Sequence, residues 1–65
     1  MLMAIALPST LAQPAQRALK AAGIETLEDL TRFSEAQILD LHGMGPNAIT
    51  KLRDALAANG LSFSA

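Results

Sequence analysis

The residues best suited to chemistry lie in the C-terminal half of this 65-residue protein, Leu41-His42-Gly43-Met44-Gly45-Pro46-Asn47-Ala48, with Lys51 one turn further on. Glycine lacks a Cβ, so Gly43 and Gly45 allow another backbone or a phosphate to come close. Met44 between them is placed to plug the space between two helices. Pro46 then opens a helix whose first N–H groups have no partner of their own, at the positive end of its dipole. A helix start of this kind beside a glycine link is a ready anion site. Arg17 and Lys20 supply two further cations upstream.

Other reactive chemistry is sparse. His42 is the only histidine and has no second ligand or nucleophile at a useful spacing, so it reads as a turn residue. There is no cysteine, which removes disulfides, zinc-thiolate sites and thiol catalysis and fits a reducing cytoplasm. The six carboxylates follow capping and solvation patterns, and Ser9, Ser34, Ser62 and Ser64 stand at caps or tails. No enzyme activity, catalytic residue, metal or cofactor is expected.

The elements that must position the anion site are helices. Hydrophobic residues make up 51 % of the sequence and charged ones 17 %, with Ala and Leu dominant and Phe33 and Phe63 the only aromatics, which points to one ordered all-α domain. A first helix is predicted from near Gln13, with Pro14 at its first position, to Gly23, turning Ala15, Leu19 and Ala22 inward. Thr26-Leu27-Glu28-Asp29 opens a short second helix that buries Leu27 and Leu30. Ser34-Glu35-Ala36-Gln37 is a capping box for a third, with Ile38 and Leu41 inward and Gly43 as its stop. The fourth runs from Pro46 to Gly60, burying Ile49, Leu52 and Leu56, with Leu61 folding back. Met1 to Leu7 is apolar but too short for a membrane span and has no preceding cation, so it reads as an arm that is flexible or lies on the helices rather than as a signal peptide.

Leu41 to Ala48, followed by Ile49 and Leu52, resembles the helix-hairpin-helix motif, which binds the DNA backbone non-specifically from the minor-groove side. Together with Leu19-Lys20-Ala21-Ala22-Gly23-Ile24, Thr26-Leu27-Glu28-Asp29-Leu30, Ser34-Glu35, Ile38-Leu39, Leu56 and Gly60-Leu61-Ser62, the pattern is similar to the C-terminal domain of the bacterial RNA polymerase α subunit. That resemblance implies a SAM-like compact bundle of four to five short helices containing one well-formed and one degenerate helix-hairpin-helix motif. It spans 11–63, leaving 1–10 as an arm and 64–65 as a tail.

The resemblance also implies a small DNA-binding module linked to transcription, with double-stranded DNA as partner and Arg17, Lys20, Gly43, Gly45, Asn47, Ala48 and Lys51 as contact residues. Where the family has an arginine early in the first helix, Pro14 stands here. Where the family has an asparagine three residues on, Arg17 takes its place, on the same helical face. The family's glycine is kept as Gly45, its lysine and serine are matched by Asn47 and Ala48, and Lys51 stands where the family more often has an acid.

A net charge of −1 hides a segregated distribution: +2 in the first helix, −4 from Gly23 to Asp40, and +1 from Leu41 onward, where Lys51 and Arg53 stand against Asp54. With the first helix packed beside the hairpin, as the resemblance implies, the basic residues are expected around the start of the fourth helix, engaging roughly two to four phosphates with affinity in the range of about 10⁻⁴ to 10⁻⁶ M. Two blander roles stand beside these: ordinary solvated charges for Arg17, Lys20, Lys51 and Arg53, and a purely shaping role for Gly43 and Gly45. The alternative function is a protein-interaction module of the same fold that has lost DNA binding, using the acidic surface around Glu25, Glu28 and Asp29 or an apolar patch near the N-terminal arm. Neither reading involves a membrane, and both imply a cytoplasmic location.

Overall fold

Prolines, capping side chains and glycines divide the sequence into four helices. The computed structural model describes residues 5–64 and contains α1 (Gln13–Ala21), α2 (Leu27–Leu30), α3 (Glu35–Leu39) and α4 (Pro46–Ala58). Among the described residues the only β pairing is two isolated bridges, Ala6 with Thr26 and Ser34 with Ser64, so the domain is all-α as its composition predicts. No helix among them is long and apolar enough to cross a membrane.

The helix starts fall into two kinds. Thr26 accepts from the Asp29 N–H at 3.2 Å while the Asp29 carboxylate accepts from the Thr26 N–H at 3.2 Å, which is a complete capping box for α2. Ser34 and Gln37 do the same for α3, at 3.1 and 2.8 Å. Such boxes let segments of four and five residues stay helical. α1 and α4 begin at Ala12 and Gly45, where no side-group oxygen caps the helix, and each carries a proline in its first two positions. In α1 it is Gln13 that comes first and Pro14 second.

Both longer helices close with paired backbone hydrogen bonds. In α1 the Ile24 N–H reaches Leu19 O at 2.9 Å and the Gly23 N–H reaches Lys20 O at 3.0 Å; in α4 Leu61 reaches Leu56 O at 2.7 Å and Gly60 reaches Ala57 O at 3.1 Å. These closures fold Ile24 into the core and lay half-buried Leu61 against it. Ala22, expected inward, is exposed, because α1 has ended before it and the turn rather than the helical period sets its direction.

Leu19, Ile24, Leu27, Leu30, Ile38, Leu52 and Leu56 are fully buried, drawn from every helix and the α1–α2 turn. α4 is the spine of this core, packing on both α2 and α3. Leu41, predicted as a buried helical residue, lies instead in the turn after α3 and is half-buried against the core, as is Met44. Ile5 and Leu7 also pack against it, so the described part of the N-terminal segment lies on the helices; residues 1–4 fall outside the described range. Backbone pairing holds both ends down: Leu27 N–H donates to Ile5 O at 2.9 Å, the Ile5 N–H donates to the Glu28 carboxylate at 3.0 Å, and Ser64 N–H donates to Phe33 O at 2.8 Å.

Gly43 comes close to the backbone at the start of α1. It has φ +93° in a turn closed by the Met44 N–H to Leu41 O at 3.1 Å, and a Cβ on it would lie 2.9 Å from the Pro14 carbonyl oxygen. Glycine alone satisfies both the dihedral angle and the gap. Gly60 also has positive φ, at +70°, but faces open space. Gly60→Ala should therefore cost about 1–2 kcal/mol, the left-handed penalty alone, and Gly43→Ala a further 1–3 kcal/mol, roughly, for the backbone it must displace. Urea denaturation measures both; equal losses would show that the Gly43–Pro14 contact contributes nothing.

Candidate nucleic-acid interface

Two links tie the turn before α4, and α4 itself, to the segment around the start of α1. One is the approach of Gly43 to Pro14. The other comes from Lys51, whose ammonium donates to the Thr10 carbonyl at 2.9 Å, just ahead of α1. The first α4 backbone bond runs from the Ile49 N–H to Gly45 O at 3.1 Å, so the Asn47 and Ala48 N–H groups precede the helical ladder and are left uncapped. Gly45 leaves the space around them open: a Cβ there would meet nothing within 4 Å. Its extended backbone does not demand glycine, so what distinguishes it is the bare backbone beside the helix end.

The expected contact residues divide by position. Asn47 and Lys51 are exposed one turn apart on α4. Arg17 is exposed on α1 and lines a cleft with Pro14, His42 and Gly43, which brings it to the same end of the molecule. Lys20, one turn along α1, borders Arg17 on one side and the N-terminal segment and Glu25 on the other. Ala48 is only 8 % exposed and its methyl group belongs to the core, which leaves its backbone N–H as the group it can offer. Arg53, which charge alone places in the basic face, instead pairs with Glu35, its Nη2 and Nε lying 2.7 and 2.9 Å from one carboxylate oxygen. It tethers α4 to α3 and does not join the α1 side.

The acids expected to form a partner surface have local duties. Glu28 accepts from the Ile5 N–H, and Asp29 accepts from both the Glu25 and Thr26 N–H groups, at 3.0 and 3.2 Å. The Glu25 N–H is the strongest influence on the Asp29 carboxyl and holds it below the ordinary carboxylate range. Burial works against it, while the Thr26 N–H, the Thr26 hydroxyl and the Arg32 charge reinforce it.

The sequence of residues 10–58 matches the family model for the C-terminal domain of the bacterial RNA polymerase alpha chain. The protein belongs to this family. Over 45 residues, 69 % of its length, it is 42 % identical to the DNA-directed RNA polymerase alpha subunits of Bacteroides fragilis and Bacteroides thetaiotaomicron, and equally to that of Phocaeicola vulgatus. The match covers 14 % of the length of each of these relatives.

Two features near the turn before α4 are set by residues distant in the sequence. The Pro14 carbonyl and the Thr10 carbonyl, both backbone atoms, are what the hairpin and Lys51 contact. His42 shares a cleft with Arg17 from 25 positions away. Its place immediately before a glycine of positive φ is the available signal, since it sets His42 at the first corner of the turn.

The position of the Asp29 carboxyl below its ordinary range makes the stability of the fold depend on pH. A carboxyl whose folded value lies below its ordinary 3.8 contributes stability that is present above that value and is lost as pH falls through the folded one. Asp29→Asn should thus lower stability near neutral pH and flatten its decline between about pH 5 and pH 2. Parallel wild-type and Asp29→Asn curves of stability against pH would contradict the assignment.

Proposed function

We propose that this domain binds double-stranded DNA through its phosphate backbone, from the minor-groove side, as a module working in transcription. The observation that carries the reading is the open start of α4, with the Asn47 and Ala48 N–H groups uncapped, held beside α1 by the Gly43–Pro14 approach and flanked by Arg17 and Lys51. Membership in the RNA polymerase alpha C-terminal domain family supports the same reading. Helix N–H groups and their dipole suit a phosphate oxygen, and the flanking cations supply the charge that releases counterions.

Each residue then has a role. Asn47 and Ala48 donate backbone N–H groups, and the Asn47 amide adds a side-group donor on the exposed face. Gly45 keeps that end clear, and Gly43 fixes the hairpin against α1. Arg17 reaches phosphate from α1, on the face where Pro14 offers no N–H. Lys51 turns its ammonium from the Thr10 carbonyl to a phosphate, and Lys20 extends the basic edge. Phosphate contacts position a protein without reading bases, so sequence preference is low and affinity depends steeply on salt.

A protein-binding module using Glu25, Glu28 and Asp29 is the second reading, favoured by the exposed Pro14 where the family's arginine would stand. The carboxylates of Glu28 and Asp29 already accept backbone N–H groups, which leaves fewer free oxygens for a partner.

A titration of the labelled domain with a short A·T-rich duplex at low salt separates the two. The amides of Arg17, Gly45, Asn47 and Lys51 should shift and return as salt is added. Lys51→Glu should weaken binding and reduce the slope of log affinity against log salt by about 1 or more. Unmoved amides at these positions would reject the DNA reading, and an unchanged affinity in Lys51→Glu would remove Lys51 from the site.

A further inference from the structure

Several clefts border α1, two of them of similar size. The larger, about 450 Å³, is lined by Leu7, Pro8, Leu11 and Ile24, with Lys20 and Glu25 at its edge, opposite charges that favour no one class of ligand. The other, about 420 Å³, opens between α1 and the turn before α4, lined by Pro14, Arg17, Ala18, Ala21, His42 and Gly43. Its walls are small and largely apolar, and the side chains with polar groups in it are one guanidinium and one imidazole.

Both polar groups are available. The one ion pair among the described residues joins Arg53 to Glu35, so no carboxylate among them neutralises Arg17. The hydrogen bond from Arg17 to Gln13 is 3.5 Å long, at the outer limit for such a contact. His42 is exposed at the first corner of its turn. Gly43 against the Pro14 carbonyl fixes the distance between the two walls. A cleft with two nitrogen-bearing side chains and no acid fits a single tetrahedral anion.

We propose that this cleft seats one phosphate of the bound duplex between Arg17 and a protonated His42, making His42 a DNA-contact residue and the affinity of the domain pH-dependent. The proposal rests on the DNA-binding reading above and adds to it a residue, a seat and a condition. Imidazole is the side group that changes charge between about pH 5 and pH 8, and His42 is the only histidine in the sequence.

The charged surroundings of His42 are few. α1 presents Arg17, and the turn presents no other titratable group. α4 contributes no residue to the cleft, and Asp40, at the end of α3 and two residues before His42, is exposed and does not line it. A phosphate seated there stabilises the imidazolium by its own charge, so phosphate and proton bind with mutual reinforcement. Affinity is therefore greatest at the acid end of the range and falls as pH rises, because the neutral ring brings no charge to the phosphate. Pro14 makes the histidine the more useful, since it supplies no donor to this wall.

The test is the affinity of the intact domain for a short duplex, measured from about 50 to 200 mM salt at roughly pH 5.5 and pH 8, for the wild type, His42→Gln and Arg17→Gln. In the wild type the slope of log affinity against log salt should be steeper by about 0.9 at the lower pH, one additional phosphate neutralised. His42→Gln should show one slope at both pH values, equal to that of the wild type at pH 8. Arg17→Gln should bind more weakly at both while keeping the pH dependence. Amide spectra of the free variants establish that each is folded. A wild-type slope that does not change with pH, or a pH dependence that survives His42→Gln, would overturn the proposal. Failure of the wild type to bind duplex at either pH is a different outcome: it removes the DNA reading and this proposal with it.

Discussion

The approach of Gly43 to the Pro14 carbonyl decides where the rest of the molecule can act. It requires a residue without a Cβ and with positive φ, and it joins the first helix to the turn before the last. Once that turn is seated, the start of α4 lies beside α1, Met44 packs against the core beneath it, and Lys51 reaches the Thr10 carbonyl. Arg17 and His42 come to face one cleft for the same reason. The cationic groups of this end are few, and their effect depends on being held together.

Stability and function are divided among the helix starts. The two short helices carry full capping boxes, since without them segments of four and five residues would not hold. The two longer helices need less help from caps. α4 has thirteen residues and buries Ala48, Ile49, Leu52 and Leu56 along one stripe, so packing secures it and its first N–H groups remain free. Acids follow the same division. Asp29 and Glu28 secure backbone N–H groups around α2, and Glu35 holds Arg53.

Much of this is legible in the sequence because local chemistry decides it. Thr26 with Asp29, Ser34 with Gln37, and the glycines at 23 and 60 mark helix ends through contacts a few residues long, and the spacing of Ile49, Leu52 and Leu56 places the buried face of α4. The errors lie where a boundary or a partner is set by distant residues. Helical period turns Ala22 and Leu41 inward, yet both fall just beyond helices that end early. At Ala48, which the resemblance matches to a contact position, packing turns the methyl group into the core and leaves the backbone N–H as the group proposed to make that contact. Charge alone counts Arg53 in the basic face, and its pairing with Glu35, eighteen residues away, is visible only in the fold. The seat shared by Arg17 and His42 depends on a backbone carbonyl meeting a glycine, which no side-group pattern encodes.

The uncapped first turn of α4 is the surface that we propose meets phosphate. Amide hydrogen exchange of the Asn47 and Ala48 N–H groups, with and without a short duplex, tests it most directly. In the free domain these two amides should exchange rapidly while those of Leu52 and Leu56 are protected, and duplex should slow exchange at Asn47 and Ala48 with little change deeper in the helix. Rapid exchange at both positions in the saturated complex, with new protection around Glu25 or Glu35 instead, would contradict the account.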